Sequence, residues 1–169
     1  MPRISHRTGS LTRPQQIAFL QVRVPGRISA IQSALQHQPT YKDLAVAAIF
    51  SRAIASFLGI GTSSGRLCAD RKYFQHSPGQ SWEVKIKNVG GEFVDVDALC
   101  HADKSALEQG INETNTAFAH LTFWPDPSSQ NQSGLATDAY IQSQTQQIRI
   151  FADTVIRLFH ERVARANPA

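Results

Sequence analysis

Glu113, Asn115 and His120 stand in one polar stretch, Ile111–Thr122, and are the side chains of this sequence best suited to handle a proton. A histidine titrates near neutral pH, so it can take and return a proton, while a carboxylate or amide beside it fixes its orientation. At about 100° per residue, Glu113 and His120 fall on nearly the same side of a helix, two turns apart and opposite Phe118. Asn112 and Asn115 border that side. The same pattern also suits a solvated face behind an apolar one, so both readings stand at this level.

A second candidate is Arg52, a lone cation on a small-residue stripe of an otherwise apolar stretch. A guanidinium there needs an anionic or hydrogen-bonding partner. If the fold brings Arg52 near His120, the two form a phosphate site from separate helices; otherwise Arg52 reaches solvent or pairs with a structural carboxylate. Other polar groupings carry less. His160-Glu161-Arg162 project in different directions from a helix and suit its C-terminal dipole. Cys100-His101, Cys68 and His76 lack the short ligand spacing of zinc sites, so no metal and no cofactor is expected. Gly59-x-Gly61-x3-Gly65 follows an Ala-rich helix rather than a strand and has no Gly-Lys-Ser/Thr, so it reads as a helix end and loop. Trp82, Phe93, Phe123 and Trp124 suit base stacking or a protein contact if exposed, and satellite core if not.

The elements that must position these groups follow from periodicity. Residues 1–12 show none and read as a flexible basic tail; residues 13–169 read as a single helical domain. Arg13–Val24 is ambiguous between helix and strand, with Thr12 as N-cap and Pro14 in the first turn favouring the helix. Pro25-Gly26 predicts a break, and Arg27–Gln38 a further helix through Ile28, Ile31 and Leu35. Thr40 and Asp43 form a short capping box for a helix over about Tyr41–Leu58. Its predicted buried face is Val46, Ile49, Phe50, Ala53 and Phe57, widened by Leu44, Ala47, Ile54 and Leu58. Residues 62–82 read as loop, and alternation predicts a hairpin at about 82–97. Asp103 is the predicted cap of a helix reaching about Leu121, with Leu107, Ile111, Thr114, Phe118 and Leu121 inward. A closing helix over about Thr137–Ala166 carries Ile141, Ile148, Phe151, Val155, Leu158, Phe159 and Val163. The expected fold is all-α: a four- to five-helix bundle with an inserted β-hairpin.

Composition narrows the class. The 169 residues suffice for one domain with a real core, and 41% hydrophobic with 18% charged is globular rather than disordered. The net charge of +4 is uneven: six of the seventeen cations (Arg3, Arg7, Arg13, Arg23, Arg27, Lys42) precede the first acid, leaving eleven against thirteen acids. Such a basic region can meet RNA or an acidic partner. The longest apolar run, Leu44–Ile60, is interrupted by Arg52 and falls short of the roughly 20 residues a bilayer needs, so no membrane partner is expected. Two distant cysteines and no secretory h-region point to reduced thiols and a cytoplasmic location.

The helix bearing Asn115-x4-His120, then a break and a long closing helix, resembles the HEPN class of small bacterial helical domains over roughly residues 103–163. Many members of that class cleave RNA and others only bind. Their motif joins an arginine to a histidine four to six residues later; here position 115 is asparagine, and no arginine lies between Arg71 and Arg149. The resemblance therefore implies a non-catalytic interaction module, with a homodimer expected through the final helix. Its alternative is an RNA-binding or RNA-cleaving protein. There His120 is the general acid/base, Asn115 and Glu113 orient it, and Arg52 partners the phosphate.

Overall fold

The computed structural model describes residues 12–70, 84–118 and 138–166. It is mainly helical, a bundle with a two-stranded antiparallel hairpin inserted after the third helix. Helix α1 spans Arg13–Ala18, a π-helical turn spans Phe19–Arg23, and α2 spans Val24–Leu35. Thr12 opens α1, donating from its N–H and hydroxyl to Gln15 Oε1 at 2.9 and 3.1 Å, which settles the local ambiguity for the helix.

The predicted break at Pro25-Gly26 does not occur. Proline lacks an N–H, and its ring crowds the carbonyl four residues back. In the π-helical turn Val24 N–H reaches instead to Phe19 O, five residues back, which widens the helix where the ring must fit.

Helix α3, Tyr41–Phe57, begins as expected at the Thr40–Asp43 capping box. Thr40 N–H and Oγ1 donate to Asp43 Oδ2 at 2.9 and 2.7 Å, and Asp43 N–H returns to Thr40 Oγ1 at 3.3 Å. The Thr40 hydroxyl first, then its N–H, holds the Asp43 carboxyl below its ordinary range. The buried face matches the predicted one at Phe57, Leu44, Ala47, Ile54 and Leu58, and adds Ala48, Ser51 and Ala55. It departs from the predicted face at Val46, Phe50 and Ala53, which are half-buried, and at Ile49, which is 42% exposed. The reason is that α3 packs on both α2 and α5, which together cover that side. What stays open is the stripe Ile49, Arg52, Ala53, Ser56, at the helical spacing i, i+3, i+4, i+7.

The hairpin lies earlier than predicted. Strands β1 (Ile60–Ser63) and β2 (Arg66–Ala69) are joined by Ser64 and Gly65, both at positive φ (51° and 77°), the two-residue turn that matches strand twist. The segment expected to be the hairpin, about 82–97, holds in its described part a 3-10 turn at Ile86–Val89 and irregular chain. Its alternation marks a half-buried cover instead: Ile86, Val89, Val94 and Val96 enter the core. Gly59 makes this cover possible. At φ +80° a side chain is strained there, and a Cβ would come within 2.3 Å of Phe93 Cδ1.

Helix α4, His101–Glu113, passes into a π-helical turn at Thr114–Phe118, and α5 is Asp138–Ala166. Asp103 does not cap α4, whose N-cap is Cys100. From the first turn its carboxylate accepts from Arg157 Nη2 at 2.6 Å, tying α4 to α5. Asp103 first, then Glu161, raises the Arg157 pKa. Leu107, Ile111 and Thr114 are buried as expected against Ile148, Phe151, Val155, Leu158 and Phe159. Gly110 lets the two helices approach: a Cβ would fall 2.1 Å from Phe151 Cγ. Cys68 and Cys100 are free thiols, and no described helix is long and apolar enough to cross a membrane.

Candidate functional site

The open stripe of α3 forms one wall of a cavity of about 590 Å³. Strand β1 supplies its edge, Asp70 closes one end, and Ile111 with Asn115 forms the opposite wall. Three features position these walls. The hairpin is clamped to α4: Leu67 N–H donates to Glu108 Oε2 at 2.8 Å, and Asn112 Nδ2 donates to the Gly65 carbonyl at 2.6 Å. Glu108 and Asn112 are one helical turn apart on the same face, so one reaches β2 and the other the turn that precedes it. The start of the hairpin is fixed by Asp70 N–H on the Gly59 carbonyl at 2.8 Å.

The third feature is a buried polar cluster that sequence reasoning missed. Lys85 is 2% exposed, and its ammonium donates to Ser56 O at 2.7 Å, Ser56 Oγ at 2.6 Å and Asp70 Oδ2 at 3.0 Å. The Ser56 hydroxyl donates to Asp70 Oδ2 at 3.3 Å. An ammonium taken out of water must be met by a carboxylate and by hydrogen bonds, and both are present. The cluster pins the end of α3, the end of β2 and the 84–89 segment together. In the sequence Lys85 is one charge among several alternating with Val84 and Ile86, and nothing there marks it as buried.

The expected site residues separate. Arg52 and Asn115, from different helices, line the same cavity. Arg52 is exposed, and among the described residues no carboxylate pairs with it. The Asn115 side-chain carbonyl is buried with no hydrogen-bond partner. Glu113 is not part of this lining; its charge bears on Tyr41, whose phenol is raised first by burial and then by Glu113. His120 lies outside the described residues, as do Arg3, Arg7, His76, Trp82, Phe123 and Trp124. Among the described residues no group of three His, Cys, Asp or Glu could hold a metal ion.

The charge balance gives the cavity its character. Asp70 is met by Lys85, so Arg52 leaves a net positive edge. Asn115 adds an acceptor in want of a donor, and Ile49 and Ile111 supply apolar contact. This suits an anionic ligand that also carries hydrogen-bond donors. No family model, curated protein or solved structure matches the chain.

Proposed function

We propose that this chain is a HEPN-like, non-catalytic interaction module that holds an anionic, hydrogen-bonding segment of its partner in the groove between α3, β1 and α4. The observation that supports it is the convergence of Arg52 and Asn115 on one cavity, the first without an ion pair among the described residues and the second with an idle carbonyl. A guanidinium grips carboxylate or phosphate through paired donors, and a buried idle acceptor gains when a ligand N–H or O–H fills it. Arg13, Arg23 and Arg27 on α1, the following turn and α2 add a positive field that steers acidic partners. The apolar face of α5 is spent inside the bundle, and among its described residues Ile150 is the exposed large apolar side chain. The groove is therefore the stronger candidate interface than a homodimer through α5.

A second reading is RNA cleavage. Asn115 precedes His120 by five residues, and Arg52 supplies beside Asn115 the guanidinium absent from the local sequence. One titration series separates the two readings. Fluorescein-labelled dodecauridylate and a pool of glutamate-bearing octapeptides are titrated with the protein and with Arg52→Ala and His120→Ala. The binding reading expects Arg52→Ala to weaken the bound probe about tenfold, equivalent to ~1.4 kcal/mol, with His120→Ala neutral. Equal binding by Arg52→Ala ends this reading. RNA cleavage that disappears in His120→Ala replaces it with the second.

A further inference from the structure

The hairpin has two edges, and they are used differently. Asp70 N–H bonds the Gly59 carbonyl, and the register pairs Gly61 with Cys68 and Ser63 with Arg66. In an antiparallel ladder hydrogen-bonded pairs alternate with non-bonded ones. Ile60 and Thr62 on β1, and Leu67 and Ala69 on β2, therefore turn their backbone groups outward. The β2 edge is covered by α4, where Glu108 takes the Leu67 N–H. On the β1 edge no hydrogen bond reaches the outward groups of Ile60 or Thr62 among the described residues. That edge lines the cavity holding Arg52 and Asn115.

We propose that an extended acidic peptide adds to the β1 edge as a third strand, its aspartate or glutamate side chain gripped by Arg52. The proposal rests on the groove reading above and names its ligand class. Main-chain hydrogen bonds to an exposed strand edge supply affinity in this mode of recognition, and alternate side chains supply specificity. Ile60 is buried and Gly61 and Thr62 are half-buried, so an added strand pairs with β1 at Thr62, whose outward N–H and carbonyl are the accessible pair of the edge. Charge complementarity selects the acid: Arg52 is the cation of the lining, no carboxylate among the described residues pairs with it, and the lining's Asp70 is already met by Lys85. Ile49, one turn before Arg52 on the open stripe and 42% exposed, offers an aliphatic ligand residue its contact. Asn115 lines the far wall with Ile111.

The test uses the full chain and an end-capped octapeptide alternating threonine and valine around one central glutamate. Three changes are made: Arg52→Ala, Thr62→Pro, and the same peptide N-methylated at alternate amides, in each of the two phases. Proline at position 62 removes an outward N–H without touching the ladder to β2. Arg52→Ala, Thr62→Pro and N-methylation in the edge-facing phase are each expected to weaken binding about tenfold. Bound peptide is expected to slow exchange of the Thr62 amide about tenfold, since that N–H becomes hydrogen-bonded. The N-methyl peptides leave the protein unaltered, so they decide the matter even where Thr62→Pro unfolds it. Undiminished binding of both N-methyl peptides overturns strand addition, and continued dependence on Arg52 then leaves the groove reading standing. Arg52-dependent binding of dodecauridylate alone overturns the peptide as ligand. Failure of both probes overturns the two proposals together.

Discussion

Two cavities flank strand β2 and share Cys68, Ala69 and Asp70 as a wall, yet they differ in how their polar groups are spent. In the larger, about 870 Å³, several of the polar groups have partners of their own. Its Lys87 ammonium lies 5.1 Å from the centre of the Phe93 ring, and Asp95 Oδ1 accepts the Asp97 N–H at 3.1 Å. Lys104 covers the Asp97 carbonyl at 2.8 Å. The smaller holds Arg52, which has no carboxylate partner among the described residues, an Asn115 carbonyl without a hydrogen-bond partner, and the β1 edge at Thr62. Volume does not distinguish a ligand site from a packing fault; unspent hydrogen-bonding capacity does.

The comparison breaks most readily at the shared wall. Lys85→Met leaves Asp70 and Ser56 without their cation, and removing one partner of a buried pair costs about 3–5 kcal/mol. Asp70 keeps 12% exposure, which places the expected loss in urea unfolding toward the lower figure. Adding Asp70→Leu is expected to return most of that loss, because the orphaned charge is then gone. A single-variant loss below about 1 kcal/mol would falsify the role given to this cluster.

Gly110→Ala tests the opposite wall. The new methyl meets the Phe151 ring at 2.1 Å, and overpacking of this kind costs about 1–3 kcal/mol. Because α4 carries the hairpin clamp and continues into the π-helical turn that holds Asn115, the smaller cavity is expected to lose ligand while the Lys87–Phe93 contact in the larger one persists. Phe151→Leu in the same chain is expected to recover part of the stability, measured as a double-mutant cycle. Strict additivity of the two changes would mean that α4 has moved elsewhere to make room.

Glu108→Ala has a smaller effect. It leaves the Leu67 N–H without its acceptor, expected to cost about 1–2 kcal/mol. The measurement that sharpens the comparison is amide exchange: Leu67 is expected to speed up, while Asp70, bonded to the Gly59 carbonyl, keeps its protection. Simultaneous acceleration at both would show that the hairpin opens as one piece.

Legibility in the sequence followed the physics of each element. Apolar periodicity found α2, α3, α4 and α5, because a 3.6-residue repeat is imposed by burial itself. Thr40 with Asp43, and Thr12 with Pro14, marked helix starts through local capping chemistry alone. The hairpin was misplaced because Ser64-Gly65 is a weaker turn signal than Asn88 with Gly90-Gly91, while the tertiary cover over Gly59 produces an alternation that mimics a strand. The continuation through Pro25 depends on a π-helical turn that no local pattern announces. Of the site, Arg52 was recognisable by its isolation on a small-residue stripe. Asn115 was singled out as well, but beside His120; its place opposite Arg52 emerged only once the two helical segments were set side by side, and Lys85 only once the end of β2 was.

Glu113 supplies the finest test, since the helical wheel groups it with the expected site and the fold does not. Burial first, then the Glu113 charge, raises the Tyr41 phenol above its ordinary value. A phenol raised in the folded state contributes stability that is fully present below its unfolded pKa. That contribution is lost as pH rises through the folded pKa. Glu113→Gln removes the second cause and keeps the first. Tyr41 is then expected to titrate at lower pH than in the parent, still above an exposed tyrosine, in an ultraviolet difference titration. Alkaline unfolding should shift little, because burial remains the larger cause. Ligand binding in the smaller cavity at neutral pH should not change, since Glu113 is not part of its lining. Weakened binding with an unmoved Tyr41 would return Glu113 to the site and shift the functional surface away from β1, toward the helical face that Glu113 shares with His120 in sequence.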